Sequence, residues 1–242
     1  MPKFTTTYNF VFAGGVCMLL SLGVAAAAQG LKPMQEANRK RDVQMNILSA
    51  LGLPEDGSTL KGSAIEEMYE ARVRQVILDT KGQPVEGKTT EDWKAAWAAV
   101  YNTDKKPELL PVFERIDDGQ PVRYALYQQG NGLWGPLSGY VAIDTKGTEY
   151  LGVTFFAPKE TPGLGAEVQE SWFEDQFKGK KLDPAHPVDV VKGKAADLCT
   201  GDQLAYCVDG VSGSTLTSNG LDAMIASGLD IYAPFINNLR KP

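Results

Sequence analysis

From Phe4 to Leu31 the chain carries no charged residue, and the centre of this stretch reads FVFAGGVCMLLSLGVAAAA. A helix needs roughly 20 apolar residues to cross a bilayer, and this stretch is long enough. A cleaved signal peptide is the alternative, because Ala26–Ala28 is similar to a small-residue cleavage site. The apolar region is long for a signal peptide and only Lys3 precedes it as a basic residue. We therefore expect an uncleaved transmembrane anchor over residues 1–31.

The charges that flank this stretch bear on its orientation. Lys32 and the cluster Arg39–Arg41 follow it, whereas Lys3 and the amino terminus precede it. Basic residues near a membrane helix favour the cytoplasmic side. Counting charges alone would therefore place the rest of the chain in the cytoplasm.

The remaining composition is that of a folded acidic protein. The chain has 242 residues, of which 43% are hydrophobic, so it can form one sizeable core or two small ones. Its formal net charge is −6 and it has no long run of Lys or Arg, which excludes nucleic acid as a partner.

The cysteines do not indicate a metal site. Cys17 lies in the apolar stretch, and the spacing of Cys199 and Cys207 matches no zinc pattern. These two residues could form a disulfide in an oxidising compartment or remain free thiols, and both readings stay open.

Periodicity predicts an α+β fold with an antiparallel sheet bracketed by helices. Predicted helices cover Ile65–Ile77, Glu91–Tyr101, Glu167–Phe177 and a C-terminal stretch from about Asn219, with a further one ending near Gly52. Predicted strands are Val122–Gln128, Ser138–Asp144, Glu149–Phe156 and Ala205–Asp209. We expect a helical linking region over residues 32–105 and a second domain over residues 106–242.

The stretch Asp209–Gly220 reads DGVSGSTLTSNG and joins a predicted strand to the last predicted helix. Its glycines allow a close approach of the backbone, its hydroxyl groups can donate hydrogen bonds, and a helix N-terminus favours negative charge. It is therefore a candidate anion site. The alternative is a polar turn in which Thr217, Ser218 or Asn219 serves only as the N-cap.

Asp209–Thr215 resembles the flavinylation motif Asp-x-x-Ser/Thr-Gly-Ala-Thr that bacterial flavin transferases recognise. In that motif the last threonine receives FMN as a phosphoester, which here is Thr215. The sequence departs at Ser214, which stands where the motif has alanine and offers a rival hydroxyl. Thr217 is a second, less favoured acceptor.

Two further segments agree with this resemblance. Glu160–Gly165 reads ETPGLG and Gly132–Ile143 begins GLWG, and both are similar to segments of the FMN-binding domain. With the single anchor, they identify the chain as similar to the C subunit of sodium-translocating NADH:quinone oxidoreductases. The resemblance covers essentially the whole chain. The homologous FMN subunit of Rnf ferredoxin:NAD oxidoreductases is the alternative, and the long segment before Gly132 favours the former.

The resemblance implies a covalent FMN and an electron relay within a multi-subunit complex of the bacterial inner membrane, with the flavin domain in the periplasm. It implies other membrane subunits, lipid and a flavin transferase as partners, and no catalytic residue, metal, NADH site or quinone site on this chain. The implied FMN-binding residues are Thr215, Ser212, Gly213, Ser214, Leu216, Thr217, Trp134, Glu160, Thr161, Gly163, Leu164 and Gly165. Trp134, Leu164 or Leu216 could provide an apolar slot for the flavin ring, and the loop Thr161–Gly165 could present N–H groups to its edge.

Other classes of function fit the sequence less well. A serine hydrolase needs a base, yet His186 is the only histidine and we interpret it as a surface-loop residue. The chain has no G-x-S-x-G elbow and no GxGxxG dinucleotide fingerprint. A flavin-free scaffold module, the third hypothesis, would be colourless.

Overall fold

The computed structural model describes residues 5–241, so the first four residues of the predicted anchor lie outside the described part. The chain divides into two compact units, with the boundary between Val43 and Gln44. The helices are α1 Thr6–Ala50, α2 Ser63–Arg72, α3 Thr90–Val100, α4 Ser171–Glu174, α5 Ala195–Leu198 and α6 Thr215–Leu239. The strands are β1 Val73–Leu78, β2 Leu110–Asp117, β3 Gln120–Asn131, β4 Pro136–Asp144, β5 Tyr150–Phe156, β6 Asp189–Val191 and β7 Cys207–Asp209.

Helix α1 contains most of the predicted anchor. By length and composition it is a candidate membrane span, which fits single-pass anchoring. Its first residues expose large apolar side chains such as Phe10 and Leu20. The end of α1 belongs to the second unit, where Ile47 and Leu48 are buried.

A five-stranded antiparallel sheet forms the centre of the second unit, in the order β1-β2-β3-β4-β5. The alternation of apolar residues in the middle of the chain predicts β3, β4 and β5 within a few residues of their observed bounds. The predicted α+β class is confirmed. A separate pair, β6 and β7, runs parallel, which the sequence patterns do not predict.

Helices pack on both faces of this sheet. Helix α6 packs on β3, where Gly130 lies against Met224 and Gln128 lies against Gly228. The end of α1 contacts the other face, since the Thr154 hydroxyl of β5 donates to the Asn46 carbonyl at 3.0 Å. Side chains alternate along a strand, so these contacts lie on opposite faces.

The predicted helix Ile65–Ile77 is wrong in its second half. The helix ends at Arg72, and Val73–Leu78 instead forms β1, which pairs with β2. The β-branched residues of this stretch suit a strand, and the sheet provides a partner that sequence spacing does not reveal.

The predicted helix Glu167–Phe177 is also wrong, because only the single turn α4 is α-helical and two 3₁₀ segments flank it. The side chain of Gln169 accepts a hydrogen bond from the N–H of Ala157, directly after β5, and that of Glu174 accepts one from Phe155 of β5, at 3.0 and 2.7 Å. The segment follows the edge of the sheet and satisfies its free donors, which a regular helix would not do.

Candidate functional site

The loop before α6 turns sharply at Gly213, whose φ of +73° lies in the left-handed region that favours glycine. A Cβ at this position would lie 3.0 Å from Leu164 Cδ2, so the two predicted motifs touch here. Ser214 follows as the N-cap, but its side chain makes no capping bond. Thr215 is the first residue of α6 and is exposed.

The helix begins a turn earlier than Asn219, so the alternative in which Thr217, Ser218 or Asn219 is the N-cap is wrong. Thr217 instead turns its side chain inward, where its hydroxyl donates to Glu160 Oε2 at 2.6 Å. Because the hydroxyl is bonded to Glu160, it does not compete for the backbone hydrogen bonds of the helix.

Glu160 joins the three predicted motifs. Its other oxygen, Oε1, accepts the Trp134 N–H at 2.8 Å, and the residue is 6% exposed. A Cβ at Gly132 or at Gly165 would lie 2.4 Å from a Glu160 oxygen, so a side chain at either position would displace the carboxylate. The carboxylate therefore sets the close approach of the GLWG loop, the ETPGLG loop and α6.

The ETPGLG loop closes on itself after Glu160. The Thr161 carbonyl accepts the N–H groups of Leu164 and Ala166, both at 3.1 Å. Gly163 has a φ of +74°, which permits this turn. The Leu164 N–H, which the sequence suggests for a ligand, is therefore already bonded, as is the neighbouring Ala166 N–H. The N–H groups of Thr161 and Gly163 form no hydrogen bond within residues 5–241.

Three large apolar side chains of these motifs stay exposed although their backbones are held in place. Trp134 is 65% exposed, Leu164 42% and Leu216 60%. Large apolar side chains that stay exposed can mark a binding surface. They are the three residues that the sequence motifs suggest for the flavin slot.

A cavity of about 260 Å³ lies at the N-terminus of α6. One wall is the loop before the helix, residues 210–213, together with Thr215 and Ser218. The other wall is the turn Val191–Gly193. The Gly210 N–H donates to the Gly193 carbonyl at 3.0 Å, which holds the two walls together.

Sequence motifs alone do not reveal the second wall or the burial of Ser218. The Val191–Gly193 turn follows a short apolar strand, β6, which is the signal that could have found it. Asp222 of α6 fixes that strand by accepting the Val190 N–H at 3.2 Å. Burial raises the pKa of Asp222, because the carboxylate is partly removed from water.

The cysteine pair and the histidine lie in defined places near these elements. Cys199 and Cys207 form a disulfide, which resolves the alternative left open by the sequence. His186 is exposed, with its nearest carboxylate on Asp183, and does not line the cavity. A histidine base for Thr215 is therefore absent from the cavity lining.

Comparison with known proteins gives a consistent result. A model of the FMN-binding domain matches residues 132–230. The C subunit of the Na⁺-translocating NADH-quinone reductase of Neisseria meningitidis serogroup A is 32% identical, over 99% of this chain and 95% of that protein. The same subunit of Vibrio vulnificus is 33% identical, over 93% and 92%.

A solved structure of this subunit, from Parabacteroides distasonis, superposes with a TM-score of 0.70. It is 33% identical to the chain and covers 85% of it, and 96% of that structure is matched. The similarity therefore extends over both the sequence and the fold.

Proposed function

Because the chain belongs to the family formed by the C subunits of Na⁺-translocating NADH-quinone reductases, we propose that it carries FMN and relays electrons inside such a complex. We propose that the flavin is bonded through its phosphate to Thr215. The relatives named above are reductase subunits, and this chain matches them along nearly their whole length. The Rnf alternative is therefore not favoured. The division into an anchor over residues 1–31, a linking region over 32–105 and a flavin domain over 106–242 remains part of the proposal.

The single observation that carries the proposal is the position of Thr215. Its hydroxyl-bearing side chain is exposed at the first turn of a long helix, beside a cavity, where the helix dipole favours a phosphate. The cavity is smaller than the roughly 300 to 1,000 Å³ of sites that enclose a whole cofactor. It therefore suits the phosphate end, while the isoalloxazine ring would lie against the exposed side chains of Trp134, Leu164 and Leu216.

The described residues fit this group. Ser214 Oγ and Ser218 Oγ are buried without a hydrogen-bond partner among residues 5–241, and both lie in the first turn of α6 or directly before it. Ser212 and Gly213 line the cavity in the same wall as Thr215. FMN supplies the electron-transfer chemistry when it is bound, and the protein positions it and sets its surroundings.

Installation of the flavin needs a separate transferase. A threonine hydroxyl is a weak nucleophile unless a base activates it, and the cavity lining contains no histidine, aspartate or glutamate. Glu160 binds Thr217 and the Trp134 N–H and does not line the cavity beside Thr215. We therefore propose a flavin transferase as the maturation partner.

The relay role is tested on the purified subunit. We expect its flavin to be reduced by dithionite but not by NADH, and no turnover with a soluble quinone, because we propose no site for either substrate on this chain. In the assembled complex NADH should reduce the same flavin. Turnover by the isolated subunit at a rate comparable to the complex would refute the relay role.

We further propose that α1 anchors the chain in the bacterial inner membrane with the flavin domain in the periplasm. The disulfide Cys199–Cys207 supports this side, because such bonds persist in oxidising compartments. The basic cluster Arg39–Arg41 favours the opposite side. Protease added to intact spheroplasts should digest the domain, and digestion only in inside-out vesicles would refute the periplasmic side.

A further inference from the structure

The cavity at the N-terminus of α6 has features that the flavinylation motif does not include. Lys192 lines it from the opposite wall and is exposed, and it forms no ion pair with another described residue. Asp209, which precedes Gly210 of the other wall, is already engaged, since its Oδ1 accepts the Ala195 N–H at 2.7 Å. A lysine without an ion-pair partner among the described residues thus lines the same cavity as Thr215.

Ser218 is a second and independent feature of the same cavity. The residue is 5% exposed, it lines the cavity, and its hydroxyl has no partner among residues 5–241. A buried hydroxyl that remains without a partner loses free energy, so it is expected to bind a ligand or water. The N–H groups of residues 215–217, which begin α6, form no hydrogen bond within residues 5–241, and the Ser218 N–H donates to the Ser214 carbonyl at 2.9 Å.

We propose that Lys192 and Ser218 form the recognition site for the phosphate of the flavin, with Lys192 providing the charge that distinguishes a phosphorylated flavin from an unphosphorylated one. This inference rests on the proposed function and names further residues of the same site. Lys192 acts as a positioning residue: its ammonium group holds the phosphate at the end of α6 next to Thr215, and the Ser218 hydroxyl donates from below. An ammonium group pairs with phosphate as a point charge, which requires no bidentate geometry.

The test uses the full-length chain in detergent, produced in a host without a flavin transferase so that Thr215 is unmodified. Binding of FMN and of riboflavin, which lacks the phosphate, is measured by quenching of flavin fluorescence. The wild-type chain should bind FMN at least about tenfold more tightly than riboflavin, since a charge-assisted contact is worth this much. Raising the salt concentration should reduce the preference, because Lys192 is exposed.

Four variants separate the charge from the fold. In Lys192→Met the preference for FMN should disappear while riboflavin binding is unchanged, and Lys192→Arg should restore most of it. Lys194→Met is the matched control: Lys194 is also exposed and two residues away, but it does not line the cavity, so the preference should persist. Ser218→Ala should weaken FMN binding by a smaller factor, about threefold.

The inference is overturned if Lys192→Met keeps the preference of the Lys194→Met control, or if the wild-type chain does not prefer FMN. The proposed function is judged separately, by whether Thr215 carries flavin when a transferase is present. Flavin on Thr215 together with an unchanged preference in Lys192→Met would refute the phosphate site and leave the relay proposal intact.

Discussion

Arg115 and Glu160 are the two charged residues that are buried among residues 5–241, and each is 6% exposed. They lie in different regions of the second unit and hold them together in different ways. Arg115 lies on β2 near the end of α1, and Glu160 lies in the loop after β5. Comparing their partners distinguishes a region built for stability from a region built for binding.

Arg115 has an abundance of partners. It donates to both oxygens of Asp117, at 3.3 and 3.0 Å, and forms an ion pair with Glu55. It also donates to the Leu51 and Gly52 carbonyls, both at 3.4 Å, which follow the last turn of α1. The hydrogen bond from Arg115 holds the pKa of Asp117 below its ordinary value.

Glu160 has one N–H and one hydroxyl as partners, and no cation forms an ion pair with it among the described residues. Close by, the hydroxyl groups of Ser214 and Ser218 have no partner at all within residues 5–241. Where α1 joins the sheet the buried cation is fully paired, whereas at the N-terminus of α6 polar groups are left over. Groups that are left over in a buried region indicate a place for a ligand.

The largest effect is expected from breaking the paired region. Arg115→Met removes the buried cation, so Asp117 and Glu55 keep Arg72 as their only ion-pair partner among the described residues, and two carbonyl groups lose a donor. We expect the free energy of unfolding to fall by about 3 kcal/mol, as for other buried ion pairs that lose one member. Denaturant unfolding of the full-length chain in detergent, followed by tryptophan fluorescence, measures it.

The matched control is Lys106→Met, because Lys106 forms an exposed ion pair with Asp230 at 2.7 Å. It should change the free energy of unfolding by less than about 1 kcal/mol. Equal effects of the two substitutions would mean that Arg115 is not the main connection between the end of α1 and the sheet.

A smaller effect is expected from substitutions of Glu160, and its size depends on whether the new side chain can still form hydrogen bonds. Glu160→Ala leaves the Trp134 N–H and the Thr217 hydroxyl without an acceptor and should cost about 2 kcal/mol of unfolding free energy. Glu160→Gln should be nearly neutral, since an amide oxygen can accept from Trp134 and its NH₂ group can donate to Thr217.

The flavin content of both Glu160 variants separates geometry from charge. After expression with a transferase, Glu160→Ala should contain less flavin per chain, measured by absorbance, and Glu160→Gln should be close to the wild type. Loss of flavin in Glu160→Gln without loss of stability would show that the negative charge itself is required.

The smallest effect concerns Glu174, which is half-buried at the edge of the sheet. Burial raises the pKa of this carboxyl group to about 7 from an ordinary value of 4.5. The folded state therefore binds the proton more tightly than the unfolded state between these values. The stability is fully present below about pH 4.5 and is lost as the pH rises through about 7.

We expect this loss to be roughly 1 to 2 kcal/mol, reduced from the full shift because the group is partly exposed to solvent. Glu174→Gln stays neutral and can still accept the Phe155 N–H, so its stability should not change over this pH range. Glu170→Gln, at an exposed neighbouring position, should retain the wild-type profile. A wild-type profile in Glu174→Gln would exclude Glu174 as the cause.

Much of the fold could be predicted from the sequence, because local patterns determine it. Strands β3 to β5 alternate clearly, and α6 has buried residues at helical spacing, such as Leu221 and Ile225. The sequence pattern does not predict strands β1 and β2. The spacing of apolar residues in β1 fits a helix as well as a strand, and Pro111 near the start of β2 weakens its strand pattern. Their pairing is a tertiary fact.

The candidate site divides in the same way. The three motifs were found as separate segments, but not the contact that joins them, since Glu160 and Thr217 are 57 residues apart. Ser218 belongs to the hydroxyl-rich stretch Asp209–Gly220, whereas Lys192 carries no motif. Lys192 becomes a candidate only when folding places β6 beside the first turn of α6.

We propose that the buried hydroxyl groups without a partner at the start of α6 bind a flavin that is attached to Thr215. Mass spectrometry of the peptide spanning Asp209 to Asn219 tests it most directly, on chain produced with a flavin transferase. We predict the added mass of FMN on Thr215, and an unmodified peptide in Thr215→Ala. An unmodified wild-type peptide would contradict the claim, and flavin on Ser214 or Thr217 would contradict the assignment of Thr215.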